Sequence, residues 1–105
     1  MTYSVKILPA AEKDLSGIPK RDRERLGKRI NSLSDDPRPV IADRMNGWGR
    51  TFYKIRSGDF RVVYEIDDAG RIVIVLVAGD RKDIYQRAKR HRVAGGFPMG
   101  DIHGW

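Results

Sequence analysis

Lys54, Arg56 and Arg61 are spaced so that a hairpin between them would gather three cations on one surface. Lys54 and Arg56 stand two apart, the interval at which strand side chains point the same way. Ser57-Gly58-Asp59-Phe60 lies between Arg56 and Arg61. A two-residue turn at Gly58-Asp59 suits the type II′ form, which takes glycine at its first central position. Ser57 then pairs with Phe60, Arg56 with Arg61, and Lys54 with Val63. One face carries Tyr53, Ile55, Phe60, Val62, Tyr64 and Ile66; the other carries Lys54, Arg56, Arg61, Val63 and Glu65. A three-residue turn would set Phe60 and Val62 beside Lys54 and Arg56, mixing the two faces. Register follows the side that must be buried, so the two-residue turn is predicted.

Like charges directly across a strand pair are unfavourable. Arg56 opposite Arg61 makes sense where a polyanion is to sit, because fixed cations stabilise a phosphate without reorganising. Arg81 and Lys82 follow the next strand and are expected to reach the same edge. The plainer reading is an open, soluble sheet face on which Glu65 compensates part of the charge. The phosphate-handling patch is the preferred one.

Several elements must hold this hairpin in place. Tyr3 to Leu8 has the β-branched, partly alternating pattern of a first strand. Pro9 suits a first helical turn, where a missing N–H costs nothing, and Gly17 ends the short helix that follows. Pro19 opens a second helix in which Leu26, Ile30 and Leu33 fall at i, i+4 and i+7. Its other residues are mostly charged and form either a solvated face or an RNA contact. Ser34 to Pro39 breaks the chain, and a loop, Asn46-Gly47-Trp48-Gly49-Arg50, leads into strands at Thr51–Ser57, Phe60–Asp67 and Ile72–Ala78. The last is apolar throughout and is expected to be covered on both faces. Ile84 to Arg92 reads as a short basic helix. The Gly-rich stretch 94–105 reads as a flexible tail after a single domain over 1–93. The fold class expected is α+β: an N-terminal strand, a helical hairpin, then a mostly antiparallel four-stranded sheet with a short C-terminal helix.

Composition limits the partners. The chain has 105 residues, 40% of them hydrophobic, enough for one modest core. No run approaches the roughly 18 apolar residues of a membrane span, and no signal-peptide pattern opens the chain. The absence of cysteine excludes disulfides and thiolate chemistry and agrees with a cytoplasmic location. Lys and Arg outnumber Asp and Glu by 21 to 14, a net charge of +7. Such a domain attracts polyanions, most commonly nucleic acid, although an acidic protein or anionic membrane surface fits as well.

The run Tyr53-Lys54-Ile55-Arg56-Ser57-Gly58-Asp59-Phe60-Arg61-Val62-Val63-Tyr64-Glu65-Ile66 resembles the central signature of RelE-type toxins. Gly79-Asp80-Arg81-Lys82-Asp83-Ile84-Tyr85 is similar to their closing motif, and the element order from Tyr3 agrees. The resemblance implies a RelE-like fold and a toxin neutralised by a cognate antitoxin in a hetero-oligomer. It implies cleavage of messenger RNA on the ribosome, without metal or other cofactor, by attack of a ribose 2′-hydroxyl on the adjacent phosphate. Carried over by motif, Lys54 would activate the hydroxyl or hold the phosphate beside Arg56. Arg61 would stabilise charge developing at phosphorus. Arg81 would support the transition state or leaving oxygen, and Tyr85 would transfer a proton, stack on a base, or pack the last helix. Asp80 stands where the family often has histidine. Arg50 and Lys82 are expected RNA contacts. Trp48 either stacks on a base or caps the core. His91 and His103 belong to no visible constellation. Two alternatives are a ParE-type toxin that binds DNA gyrase and a non-catalytic RNA- or protein-binding module of the same fold.

Overall fold

The computed structural model describes residues 2–47 and 50–80, together with Ile84 and Ala88; of Gly47 and Arg50 it describes the backbone. Strand β1 (Ser4–Ile7) leads into helices α1 (Pro9–Ser16) and α2 (Lys20–Ser32). Strands β2 (Asp43–Gly47), β3 (Arg50–Ser57), β4 (Phe60–Asp67) and β5 (Ile72–Gly79) follow. They form one sheet in the order β1-β5-β4-β3-β2. The β1–β5 pair is parallel and the others are antiparallel. The α+β class and the mostly antiparallel sheet match expectation. The strand count does not: the sheet has five strands rather than four, because β2 forms where the sequence offers no strand pattern and its last two residues, Asn46 and Gly47, fall in the expected loop. Asp43-Arg44-Met45-Asn46-Gly47 has no β-branched residue and several poor strand formers. It becomes a strand by pairing with β3, Met45 lying opposite Phe52.

The helices follow their local signals. Pro9 occupies the first turn of α1, and Gly17 closes it by donating its N–H to the Asp14 carbonyl at 3.1 Å, with the Ile18 N–H on the Leu15 carbonyl. Asp14 Oδ2 accepts the Ala78 N–H at 3.1 Å, which ties α1 to the end of β5. Leu26, Ile30 and Leu33 are buried against Ile55, Val62, Tyr64, Val73 and Val75 on one face of the sheet. A second cluster covers the other face: Leu8, Phe52, Val63, Ile74, Leu76 and Val77 pack with Ile84 and Ala88. Strand β5 is therefore buried on both sides, from Val73 to Ala78. Its alternation is interrupted by a bulge. Val63 pairs with Val77 but Tyr64 pairs with Val75, which leaves Leu76 extra. Leu76 and Val77 both join the second cluster, and Ala78 returns to the helix side. Ile84 and Ala88 are helical and one turn apart. The rest of the expected last helix and the tail 94–105 lie outside the described residues. No described helix is long and apolar enough to cross a membrane.

A polar network fastens the loop between α2 and β2 to the sheet. The buried Tyr64 hydroxyl donates to the Pro37 carbonyl at 2.8 Å, and the Tyr53 ring stacks on Tyr64 with centroids 5.6 Å apart. Arg38 donates to the Tyr53 hydroxyl through Nε at 3.0 Å and to both Asp68 oxygens at 3.0 and 2.7 Å. The Tyr3 hydroxyl also donates to Asp68, at 2.7 Å. Hydrogen bonds from Arg38, and then from Tyr3, hold the Asp68 carboxyl down at about 2. Burial pushes the Tyr64 hydroxyl up, with Tyr53 and Asp36 adding to the rise.

Two predictions follow from this architecture. Gly58 has φ of 62°, where a Cβ is penalised, yet the nearest atom such a Cβ would meet is Asp22 Oδ1 at an ordinary 3.7 Å. Gly58→Ala should therefore destabilise by about 1–2 kcal/mol from the backbone alone, and Gly58→Asn by less, as measured by urea unfolding. Asp68 has its folded pKa depressed, so its contribution is present above the ordinary carboxyl range and is lost as pH falls toward 2. Arg38 and Asp68 are 45% and 56% exposed, which limits the pair to below about 1 kcal/mol. The stability gap between the native protein and Asp68→Asn should be constant from pH 7 to about pH 5 and close on further acidification. A gap that widened in acid would contradict the assignment.

Candidate functional site

The observed ladder pairs Ser57 with Phe60, Arg56 with Arg61, Ile55 with Val62, Lys54 with Val63 and Tyr53 with Tyr64. This is the register of the two-residue turn. All six residues expected on the apolar face contribute to the helix-side cluster, with Ile55, Val62 and Tyr64 buried and Tyr53, Phe60 and Ile66 partly so. Lys54, Arg56 and Arg61 consequently share the opposite face. No carboxylate lies beside either arginine in the ladder, because the β5 neighbour of Arg61 is Gly79 and β2 ends its pairing at Lys54.

That face is not the open plate expected from sequence. Phe52, Val63 and Glu65 are buried on it, and the Lys54 side chain is only 17% exposed. The physical reason is the second cluster, in which Ile84 and Ala88 cover Phe52 and Val63. Solvent reaches the face mainly at its hairpin end, where Arg56 is exposed and Arg61 half-buried. Arg61 Nη1 donates to the Asp80 carbonyl at 3.5 Å. Its Nε is buried and has no hydrogen-bond partner among the described residues. A buried, unsatisfied donor beside a like charge is costly.

Two acids on this face, Asp43 and Glu65, are not among the site residues expected from sequence. Asp43 stands across from Lys54 in the β2–β3 ladder, its Oδ2 3.5 Å from Nζ. No signal announced it, since β2 itself is invisible in the pattern. Glu65 was placed on the right face but expected at an exposed position; it is 5% exposed. Arg81, Lys82, Tyr85 and Trp48 lie outside the described residues, as do His91, His103 and the side chain of Arg50. The structure thus brings together Lys54, Arg56 and Arg61 of the expected set. Chemically, this end of the hairpin can engage an anionic oxygen with preformed guanidinium donors. Among the described residues, no three His, Asp or Glu side chains converge as a metal-holding group.

A family model described as ParE toxin of type II toxin-antitoxin system, parDE, matches residues 5–85. The chain is similar to Toxin RelG of Mycobacterium tuberculosis, at 32% identity over 88 residues, covering 83% of this chain and 100% of that protein. It is similar to mRNA interferase toxin RelE of Escherichia coli K12, at 28% identity over 91 residues, covering 84% of this chain and 95% of that one. It also superposes on a chain of the archaeal RelE-RelB complex from Pyrococcus horikoshii, with a TM-score of 0.68 and 29% identity over 78% of this chain and 98% of that chain.

The opposed arginines carry a stability prediction of their own. Replacing Arg56 by Thr removes a like-charge pair and adds a good strand former. Arg56→Thr should raise stability by roughly 0.2–1 kcal/mol, read as a higher urea midpoint. A lower midpoint would show that Arg56 serves the fold.

Proposed function

Because the chain belongs to the RelE/ParE superfamily of type II toxin–antitoxin toxins, and within it to the RelE type, we propose that it is an endoribonuclease that cleaves messenger RNA in the ribosomal A site. The observation that carries this reading is Arg56 set directly opposite Arg61, with Lys54 on the same face. A sheet built for stability alone gains nothing from that pair. A phosphate passing through a pentacoordinate, more negative state gains two fixed donors.

In the proposed reaction the ribose 2′-hydroxyl attacks the phosphorus of its own 3′-phosphate. The bond to the 5′-oxygen of the next nucleotide breaks, leaving a cyclic phosphate and a free 5′-hydroxyl. Lys54 holds the phosphate or activates the hydroxyl, and Arg56 stands beside it. Arg61 stabilises the charge developing on the non-bridging oxygens. Arg81, next in the chain after the Asp80 that accepts from Arg61, supports the transition state or the leaving oxygen. Tyr85 transfers a proton or stacks on a base, and Arg50, Lys82 and Trp48 contact the RNA. The chemistry draws on no metal. The partner that restrains it is a cognate antitoxin, as in the RelE-RelB complex to which the chain is similar, and the site of action is cytoplasmic.

A second reading has one observation in its favour: the matching family model is that of ParE. A gyrase-binding toxin needs the fold but no phosphate-handling set. Primer extension on a translated message after brief induction separates the two. Codon-linked cuts are expected with the native chain and should weaken by about 10²–10³-fold in Arg61→Ala, the scale for loss of one transition-state donor. Arg81→Ala should also lose them. Intact messages together with inhibited gyrase supercoiling would overturn the nuclease reading.

A further inference from the structure

The solvent side of α2 carries Arg21, Arg25 and Arg29 at intervals of four, with Lys28 beside them. Four residues advance a helix by about 6 Å and nearly complete a turn. The three arginines therefore form a ridge with about 12 Å between its end positions along the axis. All four side chains are exposed, whereas Leu26, Ile30 and Leu33 take the buried side. Like charges four apart destabilise a helix, and nothing internal offsets these. Among the described residues none of the four forms an ion pair, and the helix's own acids, Asp22 and Glu24, pair with none of them. Arg23 makes the contrast: its Nη1 turns back to the Ser16 carbonyl at 3.4 Å and serves the fold.

We propose that this ridge binds the phosphate backbone of double-helical RNA, as a second RNA surface on the opposite side of the sheet from Lys54, Arg56 and Arg61. The choice of RNA rests on the function proposed above; the double-helical form rests on α2 itself. A single-stranded ligand needs aromatic platforms for its bases, and α2 has no aromatic residue. A protein partner needs buried apolar anchors at the centre of its contact. The large hydrophobic side chains exposed among the described residues are Val40 and Ile41, in the loop after the helix. A membrane surface would require the apolar face of α2, and that face is already in the core. An A-form backbone asks for phosphate contacts without base readout. Guanidinium groups meet phosphate oxygens in pairs.

The test is fluorescence anisotropy of the full chain with a short blunt-ended RNA duplex of arbitrary sequence, over a series of salt concentrations. The plot of log affinity against log salt should be shallower by roughly 2–3 in R21Q/R25Q/R29Q than in the native chain. K6Q, at an exposed cation of β1 that belongs to neither surface, should keep the native slope. Glutamine retains helix propensity and relieves repulsion, so the triple variant should melt no lower than the native chain; R25Q alone should lower the slope by about one. An unchanged slope in the α2 variants, or a loss confined to K54Q/R56Q, would overturn the proposal. A native chain that binds duplex through α2 but cuts no message would support the ridge and overturn the cleavage reading alone.

Discussion

The pairing of β3 with β4 depends on one glycine at φ of 62°, and the charged site takes its shape from that pairing. A turn of two residues puts Tyr53, Ile55, Val62 and Tyr64 together under the helices. The same turn leaves Arg56 and Arg61 nowhere to go except opposite one another. Burial on one side of the ribbon is thus what holds the electrostatic conflict on the other. The apolar side chains that do this are large, and their transfer from water is worth about 1.5–3 kcal/mol each when complete. A like-charge cross-strand pair opposes folding by less than 1 kcal/mol or so. The conflict persists because it is the smaller quantity.

Much of this was legible in sequence because it depends on alternation, which the chain displays plainly. The hairpin register, the two helices and the doubly buried β5 all follow from where apolar residues fall. What was not legible depends on contacts between distant segments. Strand β2 has no pattern of its own and exists by pairing with β3. The clamp of Tyr3, Arg38, Tyr53 and Asp68 joins four separate segments of the chain through hydrogen bonds, none foreshadowed by spacing. The reach of the second cluster over Phe52 and Val63 was not legible, because Ile84 and Ala88 sit in a stretch whose pattern shows only a short basic helix. Without that cover the cationic face would be open. Of the expected site, the three strand residues were positioned correctly by period and turn length. Their surroundings were not legible, since burial depends on what covers a face and alternation says only which face it is.

Charge in this small protein is distributed over two surfaces with different character. At the hairpin end of the sheet the cations are few, partly buried and held by backbone pairing, so they present donors in fixed positions. Along α2 they are exposed and borne on long side chains, which suits contact with a regular chain of phosphates. The sheet lies between them, and its two hydrophobic clusters, one per face, separate the surfaces. A change in one set of cations can therefore leave the other's scaffold intact.

The bulge at Leu76 has a bearing on how such a chain can vary. A strand with strict alternation must place every second residue on the same side. The extra residue resets that parity, so Gly79 emerges on the side of Arg61 while Ala78 reaches back toward α1. It acts as a phase shifter near the end of the strand. Loss of the extra residue would only remove the bulge: Val77, Ala78 and Gly79 would keep Val63, Val62 and Arg61 as partners, and with them their sides of the sheet. Strand β5 can thus run one residue longer than its partner and still deliver Gly79 beside Arg61.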